Sequence, residues 1–123
     1  MAFFTKEITM PYLKIQTNLV IDDSKKQSVL AKASADIAKQ MGKPERYMMT
    51  AMDTDCAMTL GGSDQPLACV ELKALDLSES HTSALSDAIC RLLQEQLNIP
   101  QDRTYIVFAD IPRAMWGWNG GTF

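Results

Sequence analysis

The chain has 123 residues, with 12 Lys plus Arg against 15 Asp plus Glu, and that length holds one compact domain and not two. Its 46% hydrophobic and 22% charged residues exclude wholesale disorder, and a net charge of −3 with a pI near 5.0 gives no general attraction for nucleic acid or an acidic membrane. No apolar run approaches the roughly 18 residues of a membrane span. Residues 1–9 lack the basic start and apolar centre of a signal peptide, so a cytoplasmic protein is expected. Cys56, Cys69 and Cys90, odd in number and widely spaced, fit reduced, mostly buried thiols better than a disulfide framework or a metal site.

In chain order, Tyr12-Leu-Lys-Ile-Gln-Thr17 alternates apolar and polar residues and predicts a strand with one buried face. Asp22-Asp23-Ser24 offers helix caps, with Ser24 and Gln27 in capping-box spacing. Leu30, Ala33, Ile37 and Met41 then recur at three and four, predicting a helix over 24–41 that Gly42 stops and Pro44 prevents from resuming. Tyr47 to Met52 reads as a strand, and Ala57 to Leu60 as a further short one before the Gly61-Gly62-Ser63 turn. The second half repeats this order. Leu67 to Leu75 alternates, Leu85, Ala88, Ile89, Leu92, Leu93 and Leu97 trace a helical stripe, and Thr104 to Ala109 follows Pro100 as a strand apolar enough to be covered on both faces. Strand, helix, strand thus occurs twice with a period of about 56 residues. The predicted fold is α/β: two βαβ repeats giving a four-stranded sheet with both helices on one face. Apolar residues on both sides of several strands, and the tail Met115-Trp-Gly-Trp118, predict that another subunit covers the bare face.

Pattern alone yields no reaction. Gly61-Gly62-Ser63 lacks the Lys-Ser/Thr ending and the following helix of a phosphate loop and reads as a turn. Asp22 and Asp23 read as caps, and Asp53 and Asp55 as loop residues. His81 reads as a surface residue in the first turn of a helix, with no visible link to a cysteine. Trp116 and Trp118 read as packing anchors, and Lys43 as a solvated loop lysine.

Five motifs carry a resemblance when taken together. Met10-Pro-Tyr-Leu-Lys-Ile-Gln-Thr-Asn18, Gly42-Lys-Pro-Glu-Arg-Tyr47, Leu60-Gly-Gly-Ser-Asp-Gln-Pro66, Asp102-Arg-Thr-Tyr-Ile106 and Trp116-Gly-Trp-Asn-Gly-Gly-Thr-Phe123 stand in the order and spacing of the macrophage migration inhibitory factor family of the tautomerase superfamily. The chain resembles that family over essentially all of residues 11–123. The resemblance implies two βαβ repeats per subunit and a homotrimer of sheets around a central channel, with active sites between subunits. It implies a cofactor-free tautomerase whose N-terminal proline amine, here Pro11, is the general base for a small aromatic keto/enol acid of the phenylpyruvate type. Lys43 matches the family's pocket lysine and the Leu75 N–H a donor to the substrate acid group. Tyr47, Tyr105, Trp116, Trp118 and Phe123 match an aromatic wall, with Tyr105 supplied by the neighbouring subunit.

The chain also departs from the family pattern. Pro66-Leu-Ala-Cys-Val70 replaces the C-x-x-C of some members, so no thiol–disulfide activity is expected. Val107 stands where the best-known members carry asparagine, removing a polar contact at the pocket rim. Most consequentially, Pro11 follows ten residues, and a proline nitrogen inside a chain is an amide with neither basicity nor N–H. Residues 1–10 are read as an N-terminal extension ahead of a domain at 11–123. Three origins remain open: translation beginning at Met10, a native segment removed by processing, or a native segment retained. The first two make a tautomerase. The third makes a non-enzymatic, cytokine-like interaction protein with a vestigial pocket, whose receptor the sequence does not specify.

Overall fold

A computed structural model describes residues 10–123. The expected extension of residues 1–10 therefore falls, except for Met10, outside the described residues. Strand β1 (Tyr12–Thr17) buries Leu13, Ile15 and Thr17 and leaves Tyr12, Lys14 and Gln16 half-exposed, as period-2 alternation requires. The one polar member of the buried row is satisfied: the Thr17 hydroxyl donates to the Leu67 carbonyl at 2.7 Å and accepts from the Leu19 N–H at 3.2 Å.

Helix α1 (Asp23–Met41) starts one residue earlier than the sequence pattern indicates. Its cap is not the Ser24–Gln27 box but Asp22, whose carboxylate accepts from the Lys25 N–H at 2.7 Å. A full negative charge at the helix N-terminus complements the exposed N–H groups there better than a hydroxyl does. The buried stripe is Val29, Ala33, Ile37 and Ala38, with Leu30 and Met41 packed at its flank. Gly42, at φ 67°, ends the helix, and the Lys43 N–H reaches back to the Ala38 carbonyl at 2.9 Å. Helix α2 (Glu79–Leu97) ends the same way with Asn98, at φ 57°, in the glycine's role. His81 is exposed in its first turn.

Each helix leads through a proline-led 3-10 turn into a strand. Glu45–Tyr47 precedes β2 (Met49–Asp53), and Gln101–Arg103 precedes β4 (Thr104–Asp110). Tyr47 thus belongs to a turn and not to the strand expected from residue 47 onward. The reason is local, because the Pro44 and Glu45 carbonyls accept from the Tyr47 and Met48 N–H groups.

The sheet order is β2-β1-β3-β4, with β3 spanning Ala68–Ala74. The pairs β1/β2 and β3/β4 are parallel and β1/β3 antiparallel, so the two halves meet back to back. Both helices pack on one face, where Leu13, Ile15, Val70 and Leu72 meet Ile37, Leu85 and Ile89. The predicted two-βαβ architecture is the one observed.

Three expectations change. Ala57 to Leu60 forms no strand: Leu60 bridges only to Ser63 across Gly61 and Gly62, both at positive φ. Arg103 instead ties the end of this segment and the loop after it. Its guanidinium donates to Leu60 O at 3.2 Å, Ser63 O at 2.8 Å, Gln65 O at 3.0 Å and Pro66 O at 3.0 Å. Second, β4 is covered on one face only, because it is an edge strand and the helices lie on one side; Tyr105 is 63% and Val107 55% exposed. Third, the bare sheet face is not uniformly apolar. Its centre carries Lys14, Glu71 and Lys73, with Lys14 paired to Asp53 at 3.4 Å, and its large apolar groups lie on the outer strands at Met49, Tyr105 and Val107.

No disulfide joins the cysteines; Cys90 is buried, while Cys56 and Cys69 are half-buried. Burial pushes the Cys90 thiol up from its ordinary pKa, which keeps it a neutral thiol at mildly alkaline pH. Iodoacetamide at pH 8 should therefore label Cys56 well before Cys90, as read by peptide mass mapping. Equal labelling rates would contradict this burial. Arg103→Ala removes a donor from four carbonyls, of which Leu60 O and Ser63 O keep each other's N–H, and should cost about 2 kcal/mol in urea denaturation, with Arg103→Lys recovering less than half.

Candidate active site

Pro11 enters β1 as a buried residue, and its carbonyl accepts from the Met49 N–H at 2.9 Å. This bond belongs to the parallel pairing of β1 with β2, and it holds Pro11 beside the start of β2. Met10, 5% exposed and at φ 44°, turns the chain just upstream. A cleft of about 510 Å³ opens at this corner. Met10, Pro11, Met48 and Met49 form its apolar side, and Trp116 to Trp118 close it from the C-terminal segment. Tyr12, Tyr47 and Arg46 are its polar and charged edge. A mostly apolar cleft with a few convergent polar groups is the usual form of a small-molecule site.

The C-terminal wall is built by an Asn-Gly hairpin. Strands β5 (Gly117–Trp118) and β6 (Gly121–Thr122) pair across Asn119 and Gly120, both at positive φ. The Phe123 N–H lies 3.2 Å from the Arg113 carbonyl and 3.3 Å from that of Trp116. The Phe123 ring then stacks on Trp118, with centroids 6.1 Å apart and planes 16° apart. Trp118 in turn meets Tyr47 edge-on at 6.1 Å, and the Arg46 guanidinium carbon sits 4.7 Å over the Tyr47 ring.

Of the residues named from the sequence, Pro11, Tyr47, Trp116 and Trp118 share the cleft, and Phe123 backs Trp118. Leu75 is fully buried just past β3, and the pairing of Tyr12 with Lys73 puts it at Pro11's end of the sheet. Lys43 is half-buried after α1 and is not among the residues lining the cleft. Tyr105 and Val107 are not brought to it either, since they stand exposed on β4, two strands away from β1. Sequence reasoning missed Tyr12, Arg46, Met48 and Met49 as lining residues. Parallel pairing of the first strand with the second, already inferred from the repeat, was the signal that could have placed Met48 and Met49 beside Pro11. Among the described residues no group of three or more His, Cys, Asp or Glu could hold a metal ion, and no helix is long and apolar enough to cross a membrane.

The profile of the macrophage migration inhibitory factor family matches residues 10–123. This chain belongs to that family. A macrophage migration inhibitory factor (MIF) homologue of Brugia malayi is 36% identical over 115 residues, covering 93% of this chain and 99% of the relative. The Xenopus laevis factor is 35% identical over the same span. Among solved structures, the MIF homologue of Prochlorococcus marinus superposes with a TM-score of 0.86 at 37% identity, over 91% of this chain and 98% of its own. The MIF-like protein of Entamoeba histolytica gives 0.85 at 25% identity, over 93% of this chain and 99% of its own.

The ring stack generates a prediction. Deleting Phe123 removes the ring that covers Trp118, so tryptophan emission should shift to the red. Unchanged emission would mean that the stack does not shield Trp118.

Proposed function

We propose that this MIF-family chain, once Pro11 is its first residue, is a tautomerase of phenylpyruvate-type keto/enol acids. The observation that carries the reading is Pro11 itself, buried in a cleft of apolar and aromatic residues with a cation at its edge. A free secondary amine is mostly protonated at neutral pH and is then no base. Apolar burial and a nearby cation both disfavour the protonated form and lower its pKa. The neutral amine takes the proton on the carbon next to the keto group, leaving an enolate. Protonation of the enolate oxygen gives the enol, and the reverse sequence returns the proton to carbon. Lys43 is proposed to face the developing enolate or the carboxylate, and the Leu75 N–H to donate to the acid group. Tyr47, Trp116, Trp118 and Phe123 are proposed as the wall for the aromatic ring.

The homotrimer expected from the family completes this proposal. Tyr105 and Val107 are exposed on the edge strand, which supports a role for them in meeting a neighbouring subunit. Tyr105 would then close the neighbour's cleft, with Val107 leaving its rim apolar. The proposed unit is residues 11–123, with residues 1–10 an extension.

A second reading has its own support. Met10 is joined to Pro11, nearly buried, and itself lines the cleft. A chain that keeps Met10 carries an amide at the position of the base and would act as an interaction protein. In the chain that begins at Pro11, Pro11→Gly should slow phenylpyruvate tautomerisation by about 10²-fold or more, followed by ultraviolet absorbance. An unchanged rate would remove Pro11 from the mechanism.

A further inference from the structure

We infer that Arg46 selects for a carboxylate on the substrate of this cleft, an inference that rests on the tautomerase reading of the same site. Among the described residues lining the cleft, Arg46 alone carries a formal charge. Its guanidinium is already placed, 4.7 Å over the Tyr47 ring, which itself meets Trp118 edge-on, with Phe123 stacked behind. A cation held over a ring spends less rotamer freedom on binding than one waving in solvent. Among the described residues no carboxylate lies within ion-pair distance of Arg46, so its fork of donors is available to a ligand. A guanidinium offers two parallel N–H donors that match the two oxygens of a carboxylate, which an ammonium does not.

The geometry also divides labour along the cleft. Arg46 stands at the exposed edge and Pro11 is buried, so an acid group held at Arg46 directs the rest of the molecule inward towards the proline. Lys43, three positions earlier, and the buried Leu75 N–H are then left to the enolate oxygen, with the acid group given to Arg46. The substrate class that follows is a 2-oxo acid, preferred over the neutral carbonyl compound of the same shape.

The test compares Arg46→Gln and Arg46→Lys with the unsubstituted chain, each beginning at Pro11. Arg46 is exposed and in a turn, so the substitutions leave the core intact. With phenylpyruvate, Arg46→Gln should raise KM by about tenfold while kcat falls far less. With phenylpyruvate methyl ester the change in KM should be much smaller, so that the preference for acid over ester collapses, and Arg46→Lys should restore only part of it. Cinnamate, which does not react, is titrated by tryptophan fluorescence as a readout independent of the proline. Its Kd should rise by a similar factor in Arg46→Gln. An equal KM and an equal cinnamate Kd in Arg46→Gln would overturn the inference, as would failure of cinnamate to bind the unsubstituted chain. Loss of all turnover in the unsubstituted chain would sink the tautomerase reading alone, with the cinnamate titration still deciding the role of Arg46.

Discussion

The parallel pairing of β1 with β2 is the constraint on which the site depends. Two neighbouring strands can run parallel only if the chain travels back between them, and α1 makes that return on the one face it can cover. The ladder begins with the Met49 N–H on the Pro11 carbonyl at 2.9 Å, so the start of the first strand is locked beside the start of the second. Everything that surrounds Pro11 follows from that bond. Gly42 and the turn after Pro44 deliver Arg46 and Tyr47 to the same corner, and the C-terminal hairpin lays Trp118 against Tyr47. The repeat in the second half forms the equivalent β3/β4 pair, but Leu67 and not a proline stands directly before β3.

How much of this the sequence disclosed depended on how far apart the determining residues lie. Period-2 strands and helical stripes are local signals, and they marked both βαβ halves to within a residue or two. Competing local signals were harder: Asp22 and Ser24 are both good caps, and only the bond to Lys25 decides between them. Arg103 lies some forty positions from the loop it holds, and no spacing rule couples a lone arginine to four carbonyls. The polarity of the bare sheet face needed the strand register, which lines up Lys14 with Glu71 and Val107. Arg46, an exposed arginine in a turn, falls within the Gly42–Tyr47 motif, but no periodicity singles it out. The candidate base, by contrast, was legible only through the resemblance, since no periodicity distinguishes Pro11 from a proline that merely opens a strand.

In the proposed trimer, a single chain would present only part of a site. The cleft has a buried proline, an aromatic wall and a cation, while Tyr105 and Val107 stand exposed on the far edge of the sheet. A bare face with a charged centre and apolar outer strands suits a ring of subunits that touch at their edges and keep water in the middle. In that arrangement an edge strand both closes the assembly and completes a neighbour's cleft. Function and assembly would then share the same exposed residues.

What the cleft does turns on one bond. A proline nitrogen bonded to Met10 is a planar amide, and the same nitrogen released is a base. The most direct measurement is the rate of phenylpyruvate tautomerisation by two versions of the protein, one beginning at Pro11 and one carrying Met10 ahead of it. The account predicts that the released form is faster by about 10²-fold or more. Equal rates would contradict it, because the reaction would then be using some group other than the Pro11 nitrogen.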